Sequence, residues 1–158
     1  MRLRALVVMA LLPEVAMAAL FGTLFAGSRP PDVGAGVLAP CPDTPNCVWS
    51  GAADPRHAIA PIAATPPLAE ALARLVRLAA AMPGARIVTV RADYAHLEFE
   101  TPLMGFVDDV EFAIGPAAGA IQVRSASRVG RSDFGVNRRR IEELRAAFAE
   151  GARSGGAR

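Results

Sequence analysis

The chain has 158 residues and a formal net charge of +2, so its length accommodates one domain and leaves little room for a second. Hydrophobic residues make up 53% of the sequence and charged residues 20%, which excludes a disordered, highly charged chain. The small net charge gives no reason to expect nucleic-acid binding.

The first 27 residues have the features of an export signal. Two arginines precede an apolar stretch at residues 5–26, which is interrupted only by Pro13 and Glu14. As a helix this stretch would be about 33 Å long, enough to cross a hydrocarbon core of about 30 Å. Alternatively, residues 16–18 (Ala-Met-Ala) form a cleavage site and the segment is removed. Residues 1–27 are thus a signal peptide or a membrane anchor. In both cases the protein is exported, either periplasmic or anchored in the inner membrane with its domain on the non-cytoplasmic side.

A short cysteine pair follows a linker at residues 28–40. Cys41 and Cys47 are the only cysteines, and in an oxidising compartment they are expected to form a local disulfide worth about 2 kcal/mol. A zinc site would need two more ligands, and His57 and His96 do not have a standard spacing. A redox-active pair normally has closer spacing. The sequence therefore predicts a structural disulfide, no metal and no cofactor.

The domain itself is expected at residues 41–150. Residues 48–64 are loop-like, and a helix then starts, with Thr65 as its cap and Pro66-Pro67 in its first turn. Strands are predicted at residues 86–91, 94–100, 106–114 and 121–127, because these stretches are β-branched or alternate between apolar and polar residues. In the second strand Leu97 faces the core, and His96 is expected to be exposed on the polar face.

The third and fourth strands are predicted to form a hairpin around residues 115–120. If Ile114 lies opposite Ile121, the apolar faces of both strands match, and Asp108 lies opposite Ser127. On the other face Glu111 then lies opposite Arg124, a pairing worth about 0.2–1 kcal/mol. A slip of one residue would disrupt both faces.

The last element is predicted to be a helix that begins at Asn137 as its cap and ends at Glu150, before a disordered tail at residues 151–158. Two helices and about four antiparallel strands predict a two-layer α+β domain.

Charge is concentrated near this last helix: residues 121–158 carry nine arginines and four acids. Free N–H groups at a helix start, together with guanidinium groups, suit a phosphate, sulfate or carboxylate. The alternative is a solvated face, in which the arginines pair with Glu142 and Glu143. The expected ligand-binding residues are Arg124, Ser125, Ser127, Arg128, Asn137, Arg138, Arg139 and Arg140.

Neighbouring aspartates are the weak catalytic candidates. Asp108 and Asp109 would serve as a general acid or base if burial and mutual repulsion raised a carboxyl pKa. The preferred interpretation is a structural network of Asp108, Asp109 and Asp133, in which Asp108 contacts Ser127, Arg128 or Arg138. A Ser-His-Asp arrangement of Asp54 and His57 with Ser125 or Ser127 has no motif to support it.

Three stretches resemble an uncharacterised bacterial and plastid family, domain of unknown function 1499. They are residues 41–50 (CPDTPNCVWS), residues 105–112 (GFVDDVEF) and residues 123–140 (VRSASRVGRSDFGVNRRR). The resemblance covers residues 40–148, although the family typically has an aromatic residue in place of Arg131 and a serine in place of Trp49. It implies a shared site but no reaction. The motif residues are Asp108, Asp109, Arg124, Ser125, Ser127, Arg128, Asp133, Asn137 and Arg138.

These features favour an exported, non-catalytic domain that binds an anionic small molecule, a lipid headgroup or an acidic partner. The membrane would be contacted through the N-terminal segment, and no protein partner is indicated. Two alternatives remain: an envelope hydrolase that uses an aspartate as acid or base, and a scaffold or assembly factor whose Asp–Arg network only holds the fold together.

Overall fold

A computed structural model describes residues 37–115 and 119–155, with side chains up to residue 151. The expected signal or anchor at residues 1–27, most of the linker and residues 156–158 of the tail lie outside this part. Among the residues described, no helix combines the length and hydropathy needed to cross a bilayer.

The domain is α+β, with two helices and one antiparallel sheet. Its elements in chain order are β1 (Cys47–Trp49), β2 (Ile62–Ala63), α1 (Leu68–Ala80), β3 (Ala85–Val90), β4 (Tyr94–Glu100), β5 (Val107–Ile114), β6 (Ala120–Ser127) and α2 (Val136–Gly155). The strand order is β1-β6-β5-β4-β3, and β2 also pairs with β6. The sheet thus has six strands, not about four, because residues 48–64 contribute β1 and β2. Strands of three and two residues are too short to show a periodic pattern.

The β5–β6 hairpin has the predicted register. Ile114 pairs with Ile121, Glu111 with Arg124, and Asp108 with Ser127. The apolar residues of this face pack against both helices in one core, which includes Leu97, Phe112, Ile141 and Leu144. The helices therefore cover one face of the sheet, as expected for a two-layer domain.

Both helix starts differ from the prediction. Pro67 precedes α1, and no side chain caps this helix, so Thr65 does not have the predicted role. The first turn of α2 is capped by Asp133, whose carboxylate accepts a 2.9 Å hydrogen bond from the Asn137 backbone N–H. Asn137 is therefore a residue of the first turn and not the cap. At its other end, α2 continues to Gly155, beyond the predicted end at Glu150.

The disulfide is formed, with 5.7 Å between the Cα atoms of Cys41 and Cys47. Cys47 belongs to β1 and lies opposite Ala126 of β6, so the bond ties the start of the domain to the edge of the sheet. A structural disulfide is typical of a non-cytoplasmic compartment.

Candidate functional site

Buried charged residues lie on both faces of the sheet. Because successive side chains of a strand point to opposite faces, Asp108 points towards the helices and Asp109 points away from them. On the helix-facing side a polar cluster, here called the helix-side cluster, comprises Asp108, Ser125, Ser127, Asn137 and Arg140. On the other face a second group, the far-side cluster, comprises Tyr94, His96, Glu98, Asp109, Glu111, Arg124 and Arg128, together with Arg86, which is exposed.

Arg140 is the centre of the helix-side cluster. Its guanidinium donates hydrogen bonds to the Asp108 carboxylate at 2.8 Å and to the Asn137 side-chain oxygen at 2.9 Å. The same group lies 4.5 Å from the centre of the Phe99 ring, a cation–π arrangement. Asp108 therefore forms its ion pair with Arg140, and not with Arg128 or Arg138, the arginines considered from the sequence.

Asn137 connects this cluster to three parts of the chain. Its side-chain N–H groups donate to Ser127 Oγ at 3.1 Å, to the Asn46 carbonyl at 3.2 Å and to Asp133 at 2.9 Å. Its side-chain oxygen accepts a hydrogen bond from Ser125 Oγ. The asparagine is fully buried, so this network fixes the start of α2 against the sheet.

The start of α2 already has an anionic partner. The Asp133 carboxylate accepts hydrogen bonds from the backbone N–H groups of Gly135 and Asn137, at 3.0 and 2.9 Å. This carboxylate takes the position that the sequence suggested for an external anion, since a helix N-terminus favours negative charge.

The three successive arginines point in different directions. Arg138 donates to the carbonyls of Ala58 and Arg56, at 2.8 and 3.1 Å. Arg139 is exposed and donates to the Phe134 carbonyl at 2.8 Å, whereas Arg140 is buried. Glu142, the expected partner of Arg138, instead pairs with Arg145 at 2.8 Å.

The far-side cluster is built around Asp109 and Arg128. The Arg128 guanidinium donates to both Asp109 oxygens, at 2.8 and 2.6 Å, and to Glu98 at 2.5 Å. His96 Nε2 lies 2.7 Å from Asp109 Oδ1, and Arg86 pairs with the second oxygen of Glu98. His96 is therefore buried, contrary to the expectation that it is exposed.

These contacts affect the pKa values of both central groups. Burial raises the pKa of the Asp109 carboxyl, but the hydrogen bonds and charges of Arg128 and His96 outweigh it and hold the pKa below its usual value. The Asp109 hydrogen bond is also the main reason that the pKa of Arg128 is raised. Both groups are therefore charged at neutral pH, and an acid that stays ionised is a poor proton donor.

Glu111 and Arg124 complete the far-side cluster. Arg124 donates to Glu111 at 3.0 Å, and the Tyr94 hydroxyl donates to the other Glu111 oxygen at 2.8 Å. The predicted cross-strand pair is therefore present. Arg124 Nε is the one buried side-chain polar atom without a hydrogen-bond partner within the described part of the chain.

Three residues of the far-side cluster could hold a metal ion. One ligand atom each of His96, Glu98 and Asp109 lies within 4.8 Å of the others, and a histidine with two carboxylates suits a divalent cation. Arg128 hydrogen-bonds both carboxylates of this set. A metal ion would have to compete with this guanidinium for the same oxygens.

The remaining catalytic candidates have other partners. The pKa of Asp54 is lowered to about 2, mainly by hydrogen bonds from Arg56. His57 is buried, and its Nδ1 lies 3.0 Å from the Cys47 carbonyl. These contacts do not assemble a Ser-His-Asp triad.

A cleft that the sequence did not predict opens at the end of the sheet near the start of α2. It lies between the β4–β5 loop (residues 101–106) and the β6–α2 loop (residues 128–135), and its volume is about 240 Å³. It is lined by Thr101, Phe106, Asp108, Ser127, Val129, Gly130, Ser132, Asp133, Phe134 and Val136. Leu103 and Phe134, at the tips of the two loops, are 92% and 88% exposed. The sequence signal that could have indicated this cleft is the presence of large apolar residues within two glycine-containing loops.

A family profile described as "Protein of unknown function (DUF1499)" matches residues 37–148. The chain belongs to this family, and the resemblance seen in its motifs is confirmed. Neither a curated protein nor a solved structure matches the chain.

Proposed function

We propose that this member of the DUF1499 family is an exported, non-catalytic domain that binds an anionic amphiphile, a molecule with one acidic group and one apolar chain. The observation that carries the proposal is the cleft between the two loops, because an apolar pocket with a few polar groups is the usual form of a small-molecule site. A location of the protein in the cell envelope, either periplasmic or held at the membrane by residues 1–27, is supported by the disulfide and by the N-terminal sequence.

The lining of the cleft favours an apolar occupant. Phe106, Val129, Phe134 and Val136 contribute hydrophobic side chains. The two acids of its lining have internal partners: Asp108 pairs with Arg140, and Asp133 accepts hydrogen bonds from the start of α2. Neither carboxylate would attract an external anion, so the acidic group of a ligand belongs at the rim.

Arginines at the rim supply the matching charge. Arg139 is exposed, and its guanidinium hydrogen-bonds the backbone carbonyl of Phe134 at 2.8 Å, so its charge lies next to the backbone of this cleft-lining residue. Arg131 is exposed in the same loop. A guanidinium next to an apolar wall can pair with a phosphate or carboxylate while the alkyl chain enters the cleft.

The proposal redistributes the ligand-binding residues expected from the sequence. It keeps Arg139 at the rim and Ser127 in the lining, and it adds Arg131 and Phe134. The others are assigned to holding the fold, because each is bonded within the domain and none is exposed or lines the cleft: Arg124, Ser125, Arg128, Asn137, Arg138 and Arg140. The hydrolase alternative receives no support from the low pKa of Asp109 or the ion pair of Asp108.

The test is ligand-dependent thermal stability of the full chain in a non-ionic detergent. Octyl phosphate should raise the midpoint of unfolding, since a ligand at 100 times its Kd stabilises a protein by about 2.7 kcal/mol. Octanol, which lacks the charge, should raise it less. Arg139→Gln and Phe134→Asn should each reduce the shift.

Arg77→Gln is the matched control, because Arg77 is an exposed arginine on α1, outside the cleft lining. It should leave the shift unchanged. Equal shifts in Arg139→Gln, Arg77→Gln and the parent protein would contradict the proposed site.

A further inference from the structure

We infer that the tips of the two loops beside the cleft form a docking surface for an anionic lipid bilayer. This inference deepens the proposed function, because it names the bilayer as the source of the amphiphile. It concerns three exposed apolar residues, Leu103, Met104 and Phe134, here called the loop-tip surface.

Exposed apolar residues are concentrated at this end of the sheet. In the part of the chain that the structure describes, six large hydrophobic residues are exposed: Val37, Ile87, Val90, Leu103, Met104 and Phe134. Half of them belong to the loop-tip surface, and they include the two most exposed. Single exposed hydrophobic residues need no explanation, but a group of them beside a cleft indicates an interaction site.

The backbone of Phe134 gives a second, independent indication. Its φ angle is +52°, in the left-handed region that is unfavourable for a bulky side chain. The ring is also 88% exposed, so it gains little from packing within the domain. Strain at an exposed aromatic residue is typical of a functional position.

The sheet topology places both loops at one end of the domain. Asp108, at the start of β5, pairs with Ser127, at the end of β6. The β4–β5 loop, which leads into β5, and the β6–α2 loop, which leaves β6, therefore lie at the same end of the sheet. The two tips can therefore meet a flat surface together. Local hydrogen bonds support their shape, including Phe106 N–H to Thr101 Oγ1 at 2.9 Å and Gly135 N–H to Asp133 at 3.0 Å.

Charge complementarity selects a bilayer with anionic lipids. Arg131, in the same loop as Phe134, and Arg139, in the first turn of α2, are both exposed. Of the acids next to the two loops, Asp133 is engaged with the helix start and Glu100 is exposed at the end of β4, so the exposed arginines outnumber the exposed acid. Arginines next to an anionic surface attract it, and aromatic and aliphatic side chains enter the boundary between headgroups and acyl chains.

The test uses the full chain reconstituted in vesicles whose acyl chains carry bromine, which quenches tryptophan at membrane depth. Variants Leu103→Trp and Phe134→Trp place a reporter in each tip, and Trp49 gives a background common to all variants. Val90→Trp is the matched control, because Val90 is 51% exposed on the edge strand β3. The vesicles contain phosphatidylcholine alone or an equal mixture with phosphatidylglycerol.

We expect a loss of emission for both loop variants in the mixed vesicles, a smaller loss in phosphatidylcholine, and no added loss for Val90→Trp. Quenching of both loop variants no greater than that of Val90→Trp would overturn the inference. The same result is expected if the loop tips bind a protein and not a bilayer. The detergent experiment with octyl phosphate is independent: stabilisation there without quenching would leave the proposed cleft standing and remove only the docking surface.

Discussion

Arg140 illustrates how a single residue can serve the fold where the sequence suggested a ligand. It is buried and bonds Asp108, Asn137 and the face of Phe99. Arginine suits this role because its planar guanidinium can pair with a carboxylate and stack on an aromatic ring at the same time. The same residue cannot also offer its charge to an external anion.

Arg140→Met should therefore destabilise the domain strongly. The substitution leaves the Asp108 carboxylate buried without its cation, which typically costs about 3–5 kcal/mol. Urea unfolding measures the change in free energy. Arg139→Met, at the exposed neighbour, should change it by less than about 0.5 kcal/mol. Equal effects of the two substitutions would contradict the structural role of Arg140.

Asp109 should make stability depend on pH in the acidic range. Its folded-state pKa lies below the usual 3.8, so the unfolded chain binds a proton at higher pH than the folded one. The stabilisation is complete above the unfolded pKa and is lost as the pH falls below about 4 and through the folded value.

Unfolding of the parent protein and of Asp109→Asn over that pH range tests this prediction. The stability difference between them should shrink as the pH falls, because the variant lacks the titrating carboxyl. A difference that stays constant or grows would show that Asp109 is not held ionised by Arg128 and His96.

Replacing Phe134 should raise the stability of the domain and weaken ligand binding. Asparagine tolerates the left-handed region better than a bulky aromatic residue, so Phe134→Asn should raise the free energy of unfolding by about 1 kcal/mol, the lower end of the strain range. The same variant should show a smaller response to octyl phosphate than the parent protein. Lower stability would mean that the ring packs within the domain.

At the scale of elements, the turn between α1 and β3 depends on Gly84. Its φ angle is +77°, and a Cβ atom there would lie 2.4 Å from the Glu100 carbonyl oxygen. Gly84→Ala should therefore cost more than the 1–2 kcal/mol of a left-handed alanine. The obstacle is backbone of β4, which cannot rotate away like a side chain.

Gly130→Ala separates the two causes. Gly130 also has a positive φ, +85°, but no atom lies within 4 Å of its hypothetical Cβ. Its variant should show only the backbone cost. Chemical unfolding of both variants measures the difference, and equal losses would show that the contact with Glu100 is relieved without cost.

Element patterns explain which parts of the structure were predictable. The register of the β5–β6 hairpin followed from the sequence because two faces had to match at once. His96 was misplaced because alternation shows which face a residue lies on, and not what covers it. His96 contacts Asp109, 13 residues away, and Asp109 in turn pairs with Arg128, a further 19 residues along the chain. A local pattern cannot show such contacts. The divergence of Arg138, Arg139 and Arg140 does follow from helix geometry, since successive residues do not face each other.

For the whole molecule, the sheet divides its charged residues between two faces and leaves one end with apolar loops. The motif residues Asp108, Asp109, Arg128 and Asn137 hold this framework together. The cleft lies at the end of the sheet where Asp108 of β5 and Ser127 of β6 adjoin the two loops. It was not predictable because its walls, the β4–β5 loop and the β6–α2 loop, are separated in sequence and come together only through the strand pairing.

The most direct test of the proposed function is the native mass of the full chain purified from its own cell envelope. We expect a bound acidic amphiphile as an additional mass, absent from Arg139→Gln and Phe134→Asn and retained in Arg77→Gln. A bare polypeptide in every sample, or an additional mass that all variants keep, would contradict binding at the cleft.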